Sequence, residues 1–255
     1  MQLFQSNILR TINGLSYGFF APGSIGNRNH NLSFKNAAQE EVIKARQLAC
    51  GLLNIDHQHL THVYQEHGTV IWDIKTFQRG AGALTGENQV GHGDAMITSD
   101  INTPLAILVA DCLPVFFSLS DSSVVGLAHA GWRGTYDDIS VKMVDKLTGD
   151  YGAALDDIRI WIGPGISPKG FTVKNDVWQP FFERWGEYTD CFDSNNCSID
   201  LKLVNKYRLE EHGVSADNIE VSPDCTYSDN RFFSYRRDGA GIGHNMAVIM
   251  REQMN

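Results

Sequence analysis

The chain has 255 residues, 42% of them hydrophobic and 20% charged, with a formal net charge of −9. That composition suits a globular fold with a full core, and the acidic balance excludes a general nucleic-acid binder, which needs clustered Lys and Arg. No apolar run approaches the roughly 20 residues that cross a bilayer, and no basic-then-apolar leader opens the chain.

The five cysteines, Cys50, Cys112, Cys191, Cys197 and Cys225, are scattered and form no CxxC pair. They read as reduced thiols, so the expected setting is the cytoplasm, without a structural zinc knuckle. No Pro/Gly/Ser linker divides the sequence, and one domain over residues 1–255 is expected.

Residues 15–34 read as a strand followed by a Gly/Asn/Ser-rich loop. Residues 37–53 carry apolar positions at helical spacing. Residues 60–74 are rich in β-branched and aromatic types and read as strand. Leu105 to Ala110 is a short continuous apolar run, as in a strand buried on both faces. Val115-Phe116-Phe117 continues it past the interruption Asp111-Cys112-Leu113-Pro114. After the turn at 120–123, Val124 to His129 reads as the hairpin partner of that strand.

Gly131 to Gly134 read as a tight turn into a helix over 135–148. Ile158 to Ile162 alternates like a strand and stops at Gly163-Pro164-Gly165. Helices are expected at 175–185 and 200–212, and closing strands at 232–235 and 246–250. Strands and helices interleave without a βαβ rhythm, so the expected class is α+β, a mixed-sheet sandwich, and not a doubly wound sheet.

Three segments join a soft or nitrogen donor to tight backbone: Glu66-His67-Gly68, Asp111-Cys112-Leu113-Pro114 and His129-Ala130-Gly131-Trp132-Arg133-Gly134. One Cys thiolate and two imidazoles form a zinc catalytic set with the fourth tetrahedral position open. A hairpin would bring Cys112 to His129, whereas His67 has to arrive from elsewhere.

The same residues also suit plain packing, since a buried Cys behaves as a small hydrophobe. They suit metal-free chemistry as well, with Cys112 as nucleophile and His129 as base. His92 competes as a ligand. His30, His57, His59, His62 and His212 read as surface residues. Arg236-Arg237 is an arginine fork for phosphate or carboxylate, or a surface ion pair. Gly163-Pro164-Gly165 reads as a structural turn. Asp94 to Thr98 reads as the start of a strand. Trp132 and Phe233 read first as core.

The blocks Ala110-Asp111-Cys112-Leu113-Pro114-Val115, His129 to Thr135, Ile162 to Ile166 and Ser234 to Gly239, with His67-Gly68 and Asp94 to Thr98 in the expected order, resemble the YfiH-like laccase-domain family. The resemblance spans about residues 15–250. It implies an α/β/β/α-type sandwich related to a toxin cysteine hydrolase, and a metal site of His67, Cys112 and His129 that is also the catalytic site. It further implies one zinc per chain, with copper as the other metal.

The activity it implies is phosphorolysis of adenosine, inosine, guanosine or methylthioadenosine, together with adenosine deamination. The partners are then a purine nucleoside and phosphate, with neither nucleic acid nor membrane. Asn31, Arg133, Arg236 and His244 stand as the substrate contacts. The family also carries the labels of copper-dependent polyphenol oxidase and peptidoglycan editing factor. The copper label fits poorly, because multicopper clusters use several H-x-H repeats and this sequence has one such triplet, His57-Gln58-His59. The H-x-E and P-C-x-x-C signature of nucleobase deaminases is missing.

Two positions depart from the family pattern. An Arg-Gly-Gly-type turn is replaced by Ala21 to Gly26, and a Thr-Gly-Arg ending is replaced by Gly241-Ile242-Gly243-His244.

Overall fold

In the computed structural model, residues 1–23 and 30–253 are described; the departing turn at 21–26 lies partly outside them. Two sheets stack face to face. The first has four strands in the order β1 (Gln2–Phe4), β2 (Leu15–Ala21), β12 (Asn245–Arg251) and β5 (Leu105–Val109). The second has six, in the order β11 (Ile219–Val221), β8 (Ile158–Ile162), β6 (Leu113–Leu119), β7 (Val125–Ala130), β4 (Ala95–Thr98) and β3 (Ile71–Asp73). A small ribbon joins β9 (Phe192–Asp193) to β10 (Ser198–Ile199).

The order of layers follows from which residues each strand face buries, since side chains alternate along a strand. Tyr17, Phe19, Ile107, Ala247 and Ile249 of the smaller sheet pack on Met96, Phe116, Leu127 and Trp161 of the larger one. The alternate residues Phe20, Ala106, Met246 and Val248 face α2 (Gln39–Gly51). That helix buries Val42, Ala45, Arg46, Ala49 and Cys50, a stripe at helical period, and carries Glu40 and Glu41 where the helix dipole favours anions. The outer face of the larger sheet is covered by α4 (Ile139–Tyr151), α5 (Asn175–Trp185) and α6 (Leu201–Glu211). Two short helices, α1 (Asn7–Arg10) and α3 (Trp132–Tyr136), and the single turn α7 (Tyr235–Asp238) complete the count among the described residues. The architecture is the expected mixed α/β/β/α sandwich.

Four local expectations are corrected. Residues 105–117 are not one interrupted strand: β5 lies in the smaller sheet and β6 in the larger, and the chain changes layer at Ala110 to Cys112. Of these two strands β6 is the one that pairs with β7, with Pro114 opposite His129. Segment 60–74 is strand only at β3. Before it, Thr61 and Tyr64 make single bridges to Leu105 and His92, and a positive φ of 62° at His67 turns the backbone away.

The helix expected over 135–148 breaks into α3 and α4 at Asp138. Its backbone is left-handed, with φ of 59°, and its carboxylate accepts hydrogen bonds from Arg184 and Arg208 of neighbouring helices. Residues 232–235 form no strand. The Asn245 side chain takes the place of a strand partner, accepting from Phe233 N–H and donating to Phe233 O. Ser234 then caps α7 through Arg237 N–H.

Candidate metal centre

Period-two alternation along β7 puts Val125, Leu127 and His129 on the side that faces the other sheet. His129 is therefore buried at the end of the layer between the sheets. Cys112 meets it there because it occupies the crossover from β5 to β6, one residue before the hairpin pairing begins. Asp111 fixes that crossover. Its φ of 93° is costly for a side-chain-bearing residue, and the surroundings hold it: Thr226 Oγ1 and Arg236 N–H donate to its two carboxylate oxygens at 2.6 and 2.7 Å. Ile166 N–H donates to its carbonyl. Asp111 is thus turned away from the thiol beside it.

His67 arrives through Asp94. Oδ1 of Asp94 accepts from His67 N–H at 2.9 Å, and Oδ2 accepts from Gly68 and Glu66 N–H at 2.7 and 3.2 Å. Oδ1 also accepts from His129 Nδ1 at 2.8 Å, and Asp94 O accepts from His129 N–H at 2.7 Å. One buried carboxylate therefore fixes the backbone that carries one imidazole and the tautomer of the other, leaving His129 Nε2 free for an ion.

The ligand atoms of His67, Cys112 and His129 all lie within 4.8 Å of one another. The His67 and His129 rings stand edge to face, 4.8 Å between centroids. His129 is buried, Cys112 half-buried and His67 exposed, so the cluster opens to solvent on the His67 side. Gly131 packs directly against the donors: a Cβ there would lie 2.9 Å from His67 Cδ2 and 3.1 Å from Cys112 Sγ.

Electrostatics favour a Cys112 thiolate beside a protonated His129, whose proton a metal ion would displace. Burial works to raise the Cys112 pKa, but the charge and hydrogen bonds of His129, then those of His67, override it and bring the thiol down to about 6. Burial works to lower His129, and the Cys112 thiolate and Asp94 carboxylate outweigh it, raising the imidazole. Burial likewise opposes ionisation of Asp94, yet its bonds to His129 and to backbone N–H groups hold it below the ordinary carboxylate value. A thiolate and two imidazoles with an open fourth side are a chemically apt set for a soft or borderline divalent ion.

The other expected residues take varied places. His92 is not among the three donors; its Nδ1 bonds Glu66 Oε1. Arg133 is exposed on α3 just past Gly131, with its guanidinium 4.0 Å above the Trp132 ring. Arg236 spends Nη1 on the carbonyls of Gly170 and Thr172. Arg237 spends its guanidinium on the carbonyls of Thr226, Tyr227, Asp229 and Phe232 and on Asp238, so the two arginines do not form a shared fork.

The Asn31 amide is engaged internally: Oδ1 accepts from Ser33 and His244 N–H, and Nδ2 donates to Lys35 O. His244, held by Asn31, directly precedes β12, whose Asn245 pairs with Val109 near the Cys112 crossover. Its buried Nδ1 has no hydrogen-bond partner among the described residues. Burial first, then the charges of Lys35 and His129, push its pKa down to about 4.

His62 is a correction: it is buried under the 80–90 loop and not at the surface, with Nε2 unpartnered. Burial and the nearby Arg46 guanidinium keep it neutral. Asp94 is the functional residue that sequence reading passed over. Its signal was a carboxylate opening the wholly buried run Ala95 to Thr98, a place where an acid needs partners.

The family described as multi-copper polyphenol oxidoreductase laccase matches residues 12–252. The chain belongs to this family. Its relatives include the purine nucleoside phosphorylase YlmD of Bacillus subtilis, 33% identical over 215 residues, covering 82% of this chain and 77% of that protein. Among solved structures, the hypothetical protein YfiH of Bacillus licheniformis superposes with a TM-score of 0.86 at 29% identity, covering 94% of each chain. YlmD of Geobacillus stearothermophilus gives 0.83 at 27% identity, covering 95% of this chain and 94% of that one. The family description speaks of several coppers, whereas one three-donor group is present among the described residues. No helix among them is long and apolar enough to cross a membrane.

Proposed function

We propose that this chain is a zinc-dependent purine nucleoside phosphorylase, acting on adenosine, inosine, guanosine or methylthioadenosine, with adenosine deamination at the same site. The observation that carries this reading is the three-donor centre, open on its His67 side, in a chain 33% identical to a protein named purine nucleoside phosphorylase. Zinc is preferred over copper because one thiolate and two imidazoles, with a carboxylate behind His129, suit its tetrahedral coordination.

When bound, zinc supplies a Lewis acid beside the substrate. The chain supplies the rest. Asp94 orients His129 and His67. Arg133, exposed beside the centre, offers a guanidinium to phosphate. Arg236 holds the Phe171 segment against the crossover and faces the same partner with its remaining N–H groups. Asn31 holds the backbone of His244, the other residue assigned here to the nucleoside. A cleft of about 480 Å³ lined by Glu187, Asp190, Glu210 and Glu211 lies elsewhere and is too acidic to receive phosphate.

The test is direct. Metal-loaded protein with inosine and phosphate is expected to release hypoxanthine, and with adenosine to release ammonia, both lost on chelation and in Cys112→Ser. Release of neither base nor ammonia from any purine nucleoside would end this reading.

A second reading, a cysteine hydrolase, is favoured by one observation: the Cys112 thiol is acidified by His129, as a nucleophile is by its base. It expects activity that survives exhaustive chelation and disappears on alkylation of Cys112. Activity lost to chelator and restored by zinc excludes it.

A further inference from the structure

One pair of side chains, anchored on the residue before His67, is held more firmly than its exposure explains. His92 Nδ1 and Glu66 Oε1 lie 2.5 Å apart, although 68% and 59% of the two side chains are exposed. Exposed ion pairs are ordinarily loose and contribute little. Here the imidazole also stacks on Tyr64, with ring centroids 5.1 Å apart and planes at 28°.

Its backbone is clamped as well. Tyr64 N–H donates to Gly91 O, Gly93 N–H to Tyr64 O, and Trp72 Nε1 to His92 O. The residues flanking His92 are both glycines, and a Cβ at either would strike the Trp72 indole, at 2.4 and 2.9 Å. The loop is shaped to place this one ring.

Its place is set by Asp94. Glu66 immediately precedes His67, and its N–H binds the same carboxylate as His67 N–H. His92 precedes that Asp94 by two residues. One carboxylate thus ties the Glu66–His67 backbone to the segment that carries His92. With Nδ1 bonded to Glu66, Nε2 is the ring atom left to face a substrate.

Phosphorolysis leaves an electron pair on the departing purine, and the three ligands have no proton to offer it. We propose that His92, oriented by Glu66, is the general acid that protonates the leaving base. This rests on the phosphorylase reading above. A phosphate oxygen forms its bond to C1′ as the bond from C1′ to N9 breaks. The electron pair of that bond passes into the purine ring, and the proton on Nε2 of the His92 imidazolium moves to N7. The base departs neutral, and His92 regains a proton from water. Glu66 is the positioning residue; the titratable groups facing the His92 ring are Glu66 and Tyr64, while Trp72 contributes only an indole N–H to the backbone.

The test uses two nucleosides. Guanosine needs a proton at N7 to leave; 7-methylguanosine already carries a methyl group and a positive charge there and needs none. Metal-loaded wild type and His92→Gln are assayed on both with saturating phosphate. General acids typically contribute 10²–10⁴-fold, so kcat on guanosine is expected to fall by about 10²-fold or more, while kcat on 7-methylguanosine stays within about threefold. Imidazole added to His92→Ala restores guanosine turnover, and Glu66→Gln reproduces the same selectivity with a smaller loss. Unchanged guanosine turnover in His92→Gln, or equal losses on the two nucleosides, overturns the assignment while leaving the phosphorylase reading intact. A wild type that releases base from neither nucleoside brings down that reading and this assignment together.

Discussion

Gly131→Ala tests the metal centre without touching a ligand. Gly131 has φ of −72° and ψ of 178°, a conformation open to alanine, so the substitution introduces no backbone strain. Its only effect is steric. The new methyl carbon falls 2.9 Å from His67 Cδ2 and 3.1 Å from Cys112 Sγ, against ordinary contacts of about 3.5–4.0 Å. One of the two donors has to retreat by about half an ångström or more. Overpacking of this kind costs about 1–3 kcal/mol, and each 1.4 kcal/mol is about tenfold in an equilibrium constant. His67 sits on an exposed loop and gives way first, so the cost falls on the metal-bound state.

Zinc affinity, measured by competition with a chromophoric chelator, is expected to weaken by about 10–100-fold. The metal-free Tm is expected to move little. Gly149→Ala, where nothing lies within 4 Å of the added carbon, is the control: in an exposed helix interior it stabilises by about 0.5–1 kcal/mol and leaves affinity alone. Unchanged zinc affinity in Gly131→Ala refutes the packing of donors described here.

Two further outcomes follow from the same geometry. Asp94→Asn removes the charge opposite His129 and replaces one of the oxygens that three backbone N–H groups share; metal affinity is expected to drop about 10–100-fold, read by the same competition. The Asp94 pKa is depressed in the fold, so its contribution to stability is present above the ordinary carboxylate value and is lost as pH falls through the lower folded one; the acid limb of a pH–Tm curve flattens in the variant. In chelated protein at pH 7, iodoacetamide is expected to label Cys112 ahead of Cys50 and Cys191, since pH 7 lies above its pKa of about 6 and below theirs, each pushed up to about 12 chiefly by burial. Mass spectrometry of peptides reads the sites, and zinc protects Cys112; labelling of the buried thiols at equal rates contradicts the electrostatics.

Much of the centre was legible in the chain because its two inner donors are local. The apolar run broken at Asp111 to Pro114, the turn at 120–123 and the second run ending at His129 describe a hairpin, and a hairpin alone sets Cys112 near His129. His67 and Asp94 lie 45 and 35 residues from their partners, Cys112 and His129, and nothing in the spacing joins them; tight backbone made His67 a candidate, family resemblance tied it to the pair, and only the fold revealed the role of Asp94.

Two of the misread elements share a cause. Side chains took over from backbone: Asn245 stands in for a strand beside Phe233, and the Asp138 carboxylate, claimed by Arg184 and Arg208, interrupts a helix that periodicity alone continues. The layer change between β5 and β6 was hidden because both strands are buried on both faces and carry no polar alternation to tell one sheet from the other.

β12 is last in chain order among the described strands, yet it lies inside its sheet, hydrogen-bonded to β2 on one side and β5 on the other. During synthesis β2 and β5 are therefore made long before the strand that unites them, and the smaller sheet cannot assemble until residue 251 has emerged. Long-range pairing of this kind slows folding. Asn245, at the start of that strand, is also what secures Phe233 and, one residue on, the capped turn bearing Arg236. The mouth of the candidate centre is thus finished only when the last strand docks, so a nascent chain stalled before that point holds the hairpin of Cys112 and His129 but lacks the wall built around them.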